Sequence, residues 1–282
     1  MSTEQDLAFD TPEPIGLYVE NGRGSVDVTA TDTTETTIRI TGDRADEFDV
    51  RDLADEPGPH RIAVLAPRRT TSFLGKEPRV HIAIEVPVAS SLEVKVGSSS
   101  LTTRGRLHDV RVDSGSGDVT LDVVRGDTLV KSGSGDVVSV DLAGDARIKT
   151  GSGDVLVRRS GSNLVVTTGS GDVRVESGEH DLAVKTGSGD AQVDSLAGDG
   201  VFTTGSGDVA VLRVGVGRVT AKTASGDVWL GVLPGTPVWT DVRTASGRLS
   251  SNLPSMGEPE AGQPYLELRA STASGDVTLQ QV

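Results

Sequence analysis

Apolar and polar residues alternate in bursts of about five along this chain, and the bursts recur at a fixed distance. Between them stands an Asp, almost always after Gly, with Asp118, Asp127, Asp136, Asp145 and Asp154 nine residues apart, Asn163 in the next place, then Asp172, Asp181 (after His180), Asp190, Asp199 and Asp208. Alternate units are more alike, since Gly-Ser-Gly-Asp-Val recurs at 115–119, 133–137, 151–155 and 169–173, so the period is eighteen residues in two halves. Counting Asp as zero, positions +1 and +3 are mostly aliphatic: Val119 and Leu121, Val155 and Val157, Val173 and Val175, Val209 and Val211 in one half, Ala146 and Ile148, Leu164 and Val166, Leu182 and Val184 in the other. Alternation turns these to one side of a short strand and leaves Lys131, Lys149, Lys185 and Lys222 facing solvent. A hydroxyl column, Ser132, Thr150, Thr168, Thr186, Thr204 and Thr223, follows at +5 of the second half and is expected to form an internal hydrogen-bonding ladder at a corner.

Two short strands and two turns cannot bury a face alone, but stacking such units in parallel seals a thin core between two sheets. The predicted fold is all-β, a parallel two-sheet β-solenoid of eighteen residues per coil with irregular β caps. The register walks back to Asp109, Ser100 and Ser91 and slips by one residue after Asp208 to give Arg218 and Asp227. It then loosens around Arg248 before a last Ser274-Gly275-Asp276-Val277. The predicted organisation is a loose tail over 1–14, an N-terminal β region and cap over 15–89, the solenoid over 90–252, and a loop with C-terminal capping strands over 253–282. Strands are expected at 17–19, 26–28, 37–40, 62–65, 80–86 and 92–96, and loops over 67–78 and 253–264. The turn glycines are read as positions of positive φ.

The segments Val80-His81-Ile82-Ala83-Ile84-Glu85-Val86-Pro87 and Leu92-Glu93-Val94-Lys95-Val96-Gly97-Ser98, followed by tandem Thr-Gly-Ser-Gly-Asp-Val, resemble the bacterial β-strand-repeat family of unknown function often labelled "putative adhesin". The opening Tyr18-Val19-Glu20-Asn21-Gly22-Arg23-Gly24-Ser25-Val26 resembles that family's first strand pair, and the likeness spans 15–282. The resemblance implies a repeat β fold and a role in envelope or stress-related association, and it supplies no catalytic residues.

Composition narrows the chemistry further. The chain has no Cys, so it has no disulfide framework, thiolate metal site or cysteine nucleophile. Its net charge of −14 argues against nucleic acid and anionic membranes as general partners unless a local basic strip exists. The start, Met1-Ser2-Thr3-Glu4-Gln5-Asp6, lacks the basic and apolar regions of a secretory signal, and no run of eighteen apolar residues occurs, which predicts a cytoplasmic protein without membrane insertion.

Stacking would set Asp118, Asp136, Asp154, Asp172, Asp190 and Asp208 in one row, where neighbours about 4.8 Å apart repel by roughly 0.9 kcal/mol even in water. Turn amides of each Asp's own turn are the expected partners. The alternative is a calcium row on those six residues, as in the Gly-Gly-x-Gly-x-Asp nonapeptides of repeats-in-toxin proteins, although here Asp directly follows Gly. Arg125-Gly126-Asp127 matches the integrin-binding tripeptide but falls on an ordinary Gly-Asp turn. His60, His81, His108 and His180 lack metal-ligand spacing, and no Gly-rich loop leads from a strand into a helix with Lys-Ser/Thr. With evenly repeated acids and only Trp229, Trp239, Tyr18 and Tyr265 for sugar stacking, no catalytic or cofactor residues are assigned. The predicted role is a non-enzymatic scaffold or protein-interaction module using a flat sheet face or an exposed end, with end-to-end self-association left open. A calcium-dependent carbohydrate or envelope-ligand binder using the Gly-Asp turns is the alternative.

Overall fold

The computed structural model describes residues 2–54, 59–67, 78–254 and 262–282. Most of the loop expected over 67–78, and residues 255–261 of the loop expected over 253–264, lie outside the described residues. The chain divides into two compact units, Met1–Ala143 and Gly144–Val282, each a pair of sheets facing one another across a thin aliphatic core.

The first unit contains β1 (Ser2–Asp10), β2 (Gly16–Asn21), β3 (Gly24–Thr31), β4 (Glu35–Asp43), β5 (Asp49–Asp52), β6 (Arg61–Leu65), β7 (Val80–Pro87), β8 (Ser91–Val96), β9 (Ser100–Arg104), β10 (Arg106–Leu107), β11 (Val110–Ser114), β12 (Val119–Val124), β13 (Thr128–Ser132) and β14 (Val137–Leu142). One of its sheets runs β1-β4-β7-β3-β9-β12-β14 and the other β13-β11-β8-β2-β6-β5. The expected strands all form, and from β8 onward equivalent residues of the repeat pair in parallel at a separation of eighteen, as in Val110 with Thr128 and Val119 with Val137, while the two-residue β10 pairs with β12 at seventeen.

Three parts of the predicted organisation need correction. Residues 2–10 are a strand rather than a loose tail, for β1 pairs antiparallel with β4 along its whole length, from Ser2 opposite Asp43 to Asp10 opposite Glu35. Its polarity reflects a half-covered strand: Gln5, Leu7 and Phe9 are half-buried while Glu4, Asp6, Ala8 and Asp10 face out. Pro12 and Pro14 mark the turn that follows it. The N-terminal region is also not simply a terminal cap, because β2 lies between β6 and β8, and β3 between β7 and β9.

The second unit contains β15 (Ala146–Thr150), β16 (Val155–Ser160), β17 (Leu164–Thr168), β18 (Val173–Gly178), β19 (Leu182–Thr186), β20 (Ala191–Val193), β21 (Gly200–Thr204), β22 (Val209–Val214), β23 (Gly217–Thr223), β24 (Val228–Val232), β25 (Val238–Thr244), β26 (Leu249–Ser251), β27 (Leu266–Thr272) and β28 (Val277–Gln281). Its sheets run β16-β18-β20-β22-β24-β28-β26 and β15-β17-β19-β21-β23-β27-β25. Here lies the third correction. The last strands do not cap the stack, because β27 lies between β23 and β25, and β28 between β24 and β26. The coil with the full Ser-Gly-Asp-Val signature is internal, and the degenerate coil around Arg248 forms the edge.

The inward assignments hold: Val155, Val157, Val173, Val175, Val209 and Val211 are each at most 2% exposed. The glycine reading does not. Among the described glycines positive φ occurs at Gly24, Gly42, Gly105, Gly217, Gly235 and Gly262, none of them in a Gly-Ser-Gly-Asp turn. The turn glycines answer a different constraint, close stacking: a Cβ on Gly171 would sit 2.0 Å from the Gly153 carbonyl oxygen of the adjacent coil.

Candidate functional site

The Asp rows form, but their bonds run between coils rather than within a turn. In the first unit Asp136 N donates to Asp118 Oδ1 at 3.1 Å, and Asp127 N to Asp109 Oδ1 at 2.9 Å. In the second unit Asp172 N donates to Asp154 Oδ1, Asp190 N to Asp172, Asp208 N to Asp190 and Asp227 N to Asp208, at 2.7–2.9 Å. The row then leaps in sequence, with Asp276 N on Asp227 Oδ1 at 2.7 Å and Arg248 N on Asp276 Oδ1 at 2.8 Å. Each carboxylate thus fastens the next coil's backbone at the turn, where the strand ladder has stopped. An N–H bond to a carboxylate is charge-assisted, which offsets the repulsion along the row. Periodicity could locate this row but not its donors, since own-turn and next-coil amides each recur at a constant offset from successive Asp residues.

The hydroxyl column is internal as expected, and its bonds too go to backbone. Thr168 Oγ1 accepts from Gly171 N at 3.0 Å, and Thr186 Oγ1 accepts from Gly189 N at 2.9 Å while donating to Gly171 O of the neighbouring coil at 3.4 Å. Both columns are therefore occupied in holding turns together. Among the described residues no three His, Cys, Asp or Glu side chains gather into a metal-binding group.

A different place in the first unit is concave. Outward residues of β1, β4, β7, β3 and β9 line an open hollow of about 930 Å³. The strand register builds it in rows: Asp6, Arg39, Ala83 and Asp27 are successive cross-strand partners, as are Ala8, Thr37, Glu85, Thr29 and Arg104. Small Ala83 and Ala8 form the low floor, and the long side chains of Arg39, Glu85 and Arg104 rise around it. Arg39 Nε lies 2.7 Å from Asp6 Oδ1 and 3.6 Å from Glu4, and Arg104 Nη1 lies 3.6 Å from Asp27 Oδ1. The hydrogen bond to Asp6 holds the Arg39 guanidinium above its ordinary range. Nothing in the sequence pattern marked this surface, because β1 was expected as a tail and no one strand carries the hollow.

On its rim Ser25 Oγ hydrogen-bonds His81 Nδ1, and Asp27 Oδ2 lies 3.7 Å from the same nitrogen. A nucleophile relay requires the acid and the hydroxyl on opposite ring nitrogens, so that one orients the imidazole while the other gives up its proton. Here both fall on Nδ1, across two adjacent strands of an exposed face.

Comparison with known proteins bears on the fold. No helix among the described residues is long and apolar enough to cross a membrane. No curated protein matches the chain. A solved protein of Parabacteroides merdae described as a "putative adhesin" is similar over 100% of this chain and 96% of its own, at 11% identity and a TM-score of 0.46. One from Bacteroides fragilis with the same description covers 98% and 97% at 12% identity and a TM-score of 0.37. A "putative lipid binding protein" of Parabacteroides distasonis covers 98% and 96% at 14% identity and a TM-score of 0.38. The family model described as Toastrack DUF4097 matches residues 17–280, nearly all of the repeat architecture described above, and the chain belongs to that family.

Proposed function

We propose that this protein is a non-enzymatic interaction scaffold of the cytoplasm that recognises a protein partner on the hollow face of its first unit. The observation that carries the reading is the hollow itself, a cavity of about 930 Å³ on a sheet face with cations and carboxylates of both signs around a floor of Ala83 and Ala8. Such a surface suits a polypeptide segment presenting both charges, for which complementary pairs set register and orientation more than raw affinity. The repeating Asp and Thr columns support a structural rather than catalytic use of the chain's polar groups, since their bonds are directed at turns. The scaffold needs no calcium in this reading.

A photo-crosslinking residue at position 83, introduced in the native cell, tests it. A discrete protein adduct is expected from position 83 and not from position 210, on β22 in the other sheet of the second unit. Absence of any adduct at 83, or the same adducts from positions 83 and 210, refutes the assignment.

A further inference from the structure

The second unit carries a feature at odds with the charge of the whole chain. Along the outer face of β15, β17, β19, β21 and β23, strand pairing sets Lys149, Thr167, Lys185, Thr203 and Lys222 side by side in one row. Cation and hydroxyl alternate, so the lysines stand two strand spacings apart, about 9.6 Å. All three are exposed, and none is in an ion pair among the described residues. Several other cations of the unit are committed: Arg174 to Asp194, Arg218 and Arg269 to Glu267, and Arg243 to Asp241. The neighbouring row on the same face starts at exposed Arg147, two residues from Lys149 on β15, and then runs low and apolar through Val165, Ala183 and Val201 to Thr220, with Val201 48% exposed. On a chain of net charge −14 this is a local basic strip with a flat apolar margin.

We propose that this face binds a linear acidic polysaccharide lying across the strands, with a carboxylate or sulfate at each lysine. The spacing selects the ligand class. A nucleic-acid strand presents a phosphate about every 3.4 Å, far denser than the lysines, and the chain's overall charge repels so dense a polyanion. An extended acidic peptide repeats its side chains on one face about every 6.8 Å, and a helix turns every 5.4 Å or so, neither in step with the row. A sugar chain charged on every second ring advances by about the two-strand distance, and its uncharged rings then fall over Thr167 and Thr203. Those hydroxyls donate to and accept from ring hydroxyls, and Val165, Ala183 and Val201 take the C–H faces. The site is separate from the hollow of the first unit, and the two assignments stand or fall separately.

The test uses the full-length protein on immobilised hyaluronate, which has one carboxylate per disaccharide, with poly-glutamate and neutral dextran as comparison matrices. Retention is expected on hyaluronate at low salt and lost as salt rises, with weaker retention on poly-glutamate and none on dextran. The triple variant Lys149→Gln, Lys185→Gln, Lys222→Gln is expected to bind hyaluronate about tenfold more weakly or worse, with an unchanged melting curve because the replaced groups are exposed. Lys95→Gln, in the first unit, is expected to leave binding as it is. Failure of wild type to bind hyaluronate, equal retention on poly-glutamate, or an equal loss from Lys95→Gln overturns the proposal.

Discussion

In the first unit the sheets end where the chain reverses: β4 runs antiparallel to β7, β1 antiparallel to β4, and β5 antiparallel to β6. In the second unit β25 and β26 keep the parallel direction of the repeats and end the sheets by losing the repeat signature. Both solutions guard an edge that could otherwise template pairing with another chain. The first does so with charged outward residues, Glu4, Asp6 and Asp10 on β1 and Asp49, Arg51 and Asp52 on β5. The second does so by shortening, since β26 has three residues, and by placing Arg248 where Asp stands in other coils. An Asp in a repeat offers its carboxylate to a following coil. Arg248 takes the last such bond from Asp276 and passes none on, so the row stops there. The difference teaches that a parallel stack can end by substitution at one column, whereas an antiparallel cap requires a new set of strands.

The largest effect is expected inside the repeat and not at either edge. Val175→Asp places an unpaired carboxylate in a core only one side chain thick, and a loss of about 4 kcal/mol is expected in urea unfolding. Hydrogen exchange should then accelerate most in β16 to β20. A loss no larger than that from Leu249→Asp on β26, which is half exposed, would break the contrast between repeat and edge.

Gly171→Ala tests the close stacking of turns. With the Gly153 oxygen 2.0 Å from the added carbon, and the next nearest atoms also backbone of that adjacent turn, about 3 kcal/mol of destabilisation is expected. Gly235→Ala, near the edge, meets no atom but has φ of 77°, so its cost is the smaller backbone strain of about 1 kcal/mol. The reverse order in melting temperature would return the turn glycines to a conformational role.

Asp276→Ala removes the acceptor for Arg248 N, and a loss of about 1 kcal/mol is expected, with faster amide exchange confined to β25 and β26. Asp172→Asn keeps an acceptor and is expected to cost less. Calcium at constant ionic strength is expected to add nothing to the melting temperature beyond potassium. A calcium-specific rise that Asp154→Ala with Asp172→Ala abolishes would instead make the row a cation site, since a ligand held a hundredfold above its dissociation constant contributes about 2.7 kcal/mol.

The smallest expected change is a gain. Thr128 takes an inward position in the first unit, and its hydroxyl is buried without a hydrogen-bond partner. Thr128→Val, of the same shape, is expected to raise stability by about 1 kcal/mol in chemical denaturation. A loss would mean that the hydroxyl is bonded.

What the amino-acid order alone determined here is the coil: an eighteen-residue period, the inward aliphatics, the outward lysines and the parallel register are all local statements, since each depends on side chains within one repeat and its copies. Where the coils stand in the stack was not local. Asp276 could fasten any following coil, and only the packed structure places it after Asp227 and before Arg248, across gaps of 49 and 28 residues. The same holds for β1, whose polar sequence reads as a tail until β4 supplies a partner for every residue, and for the hollow floored by Ala83 and Ala8, which exists on no single strand. Strand pairing can reward contacts far apart in sequence, and the alternation of a strand is the same whichever neighbour it meets. The tertiary structure alone decided which neighbour that was.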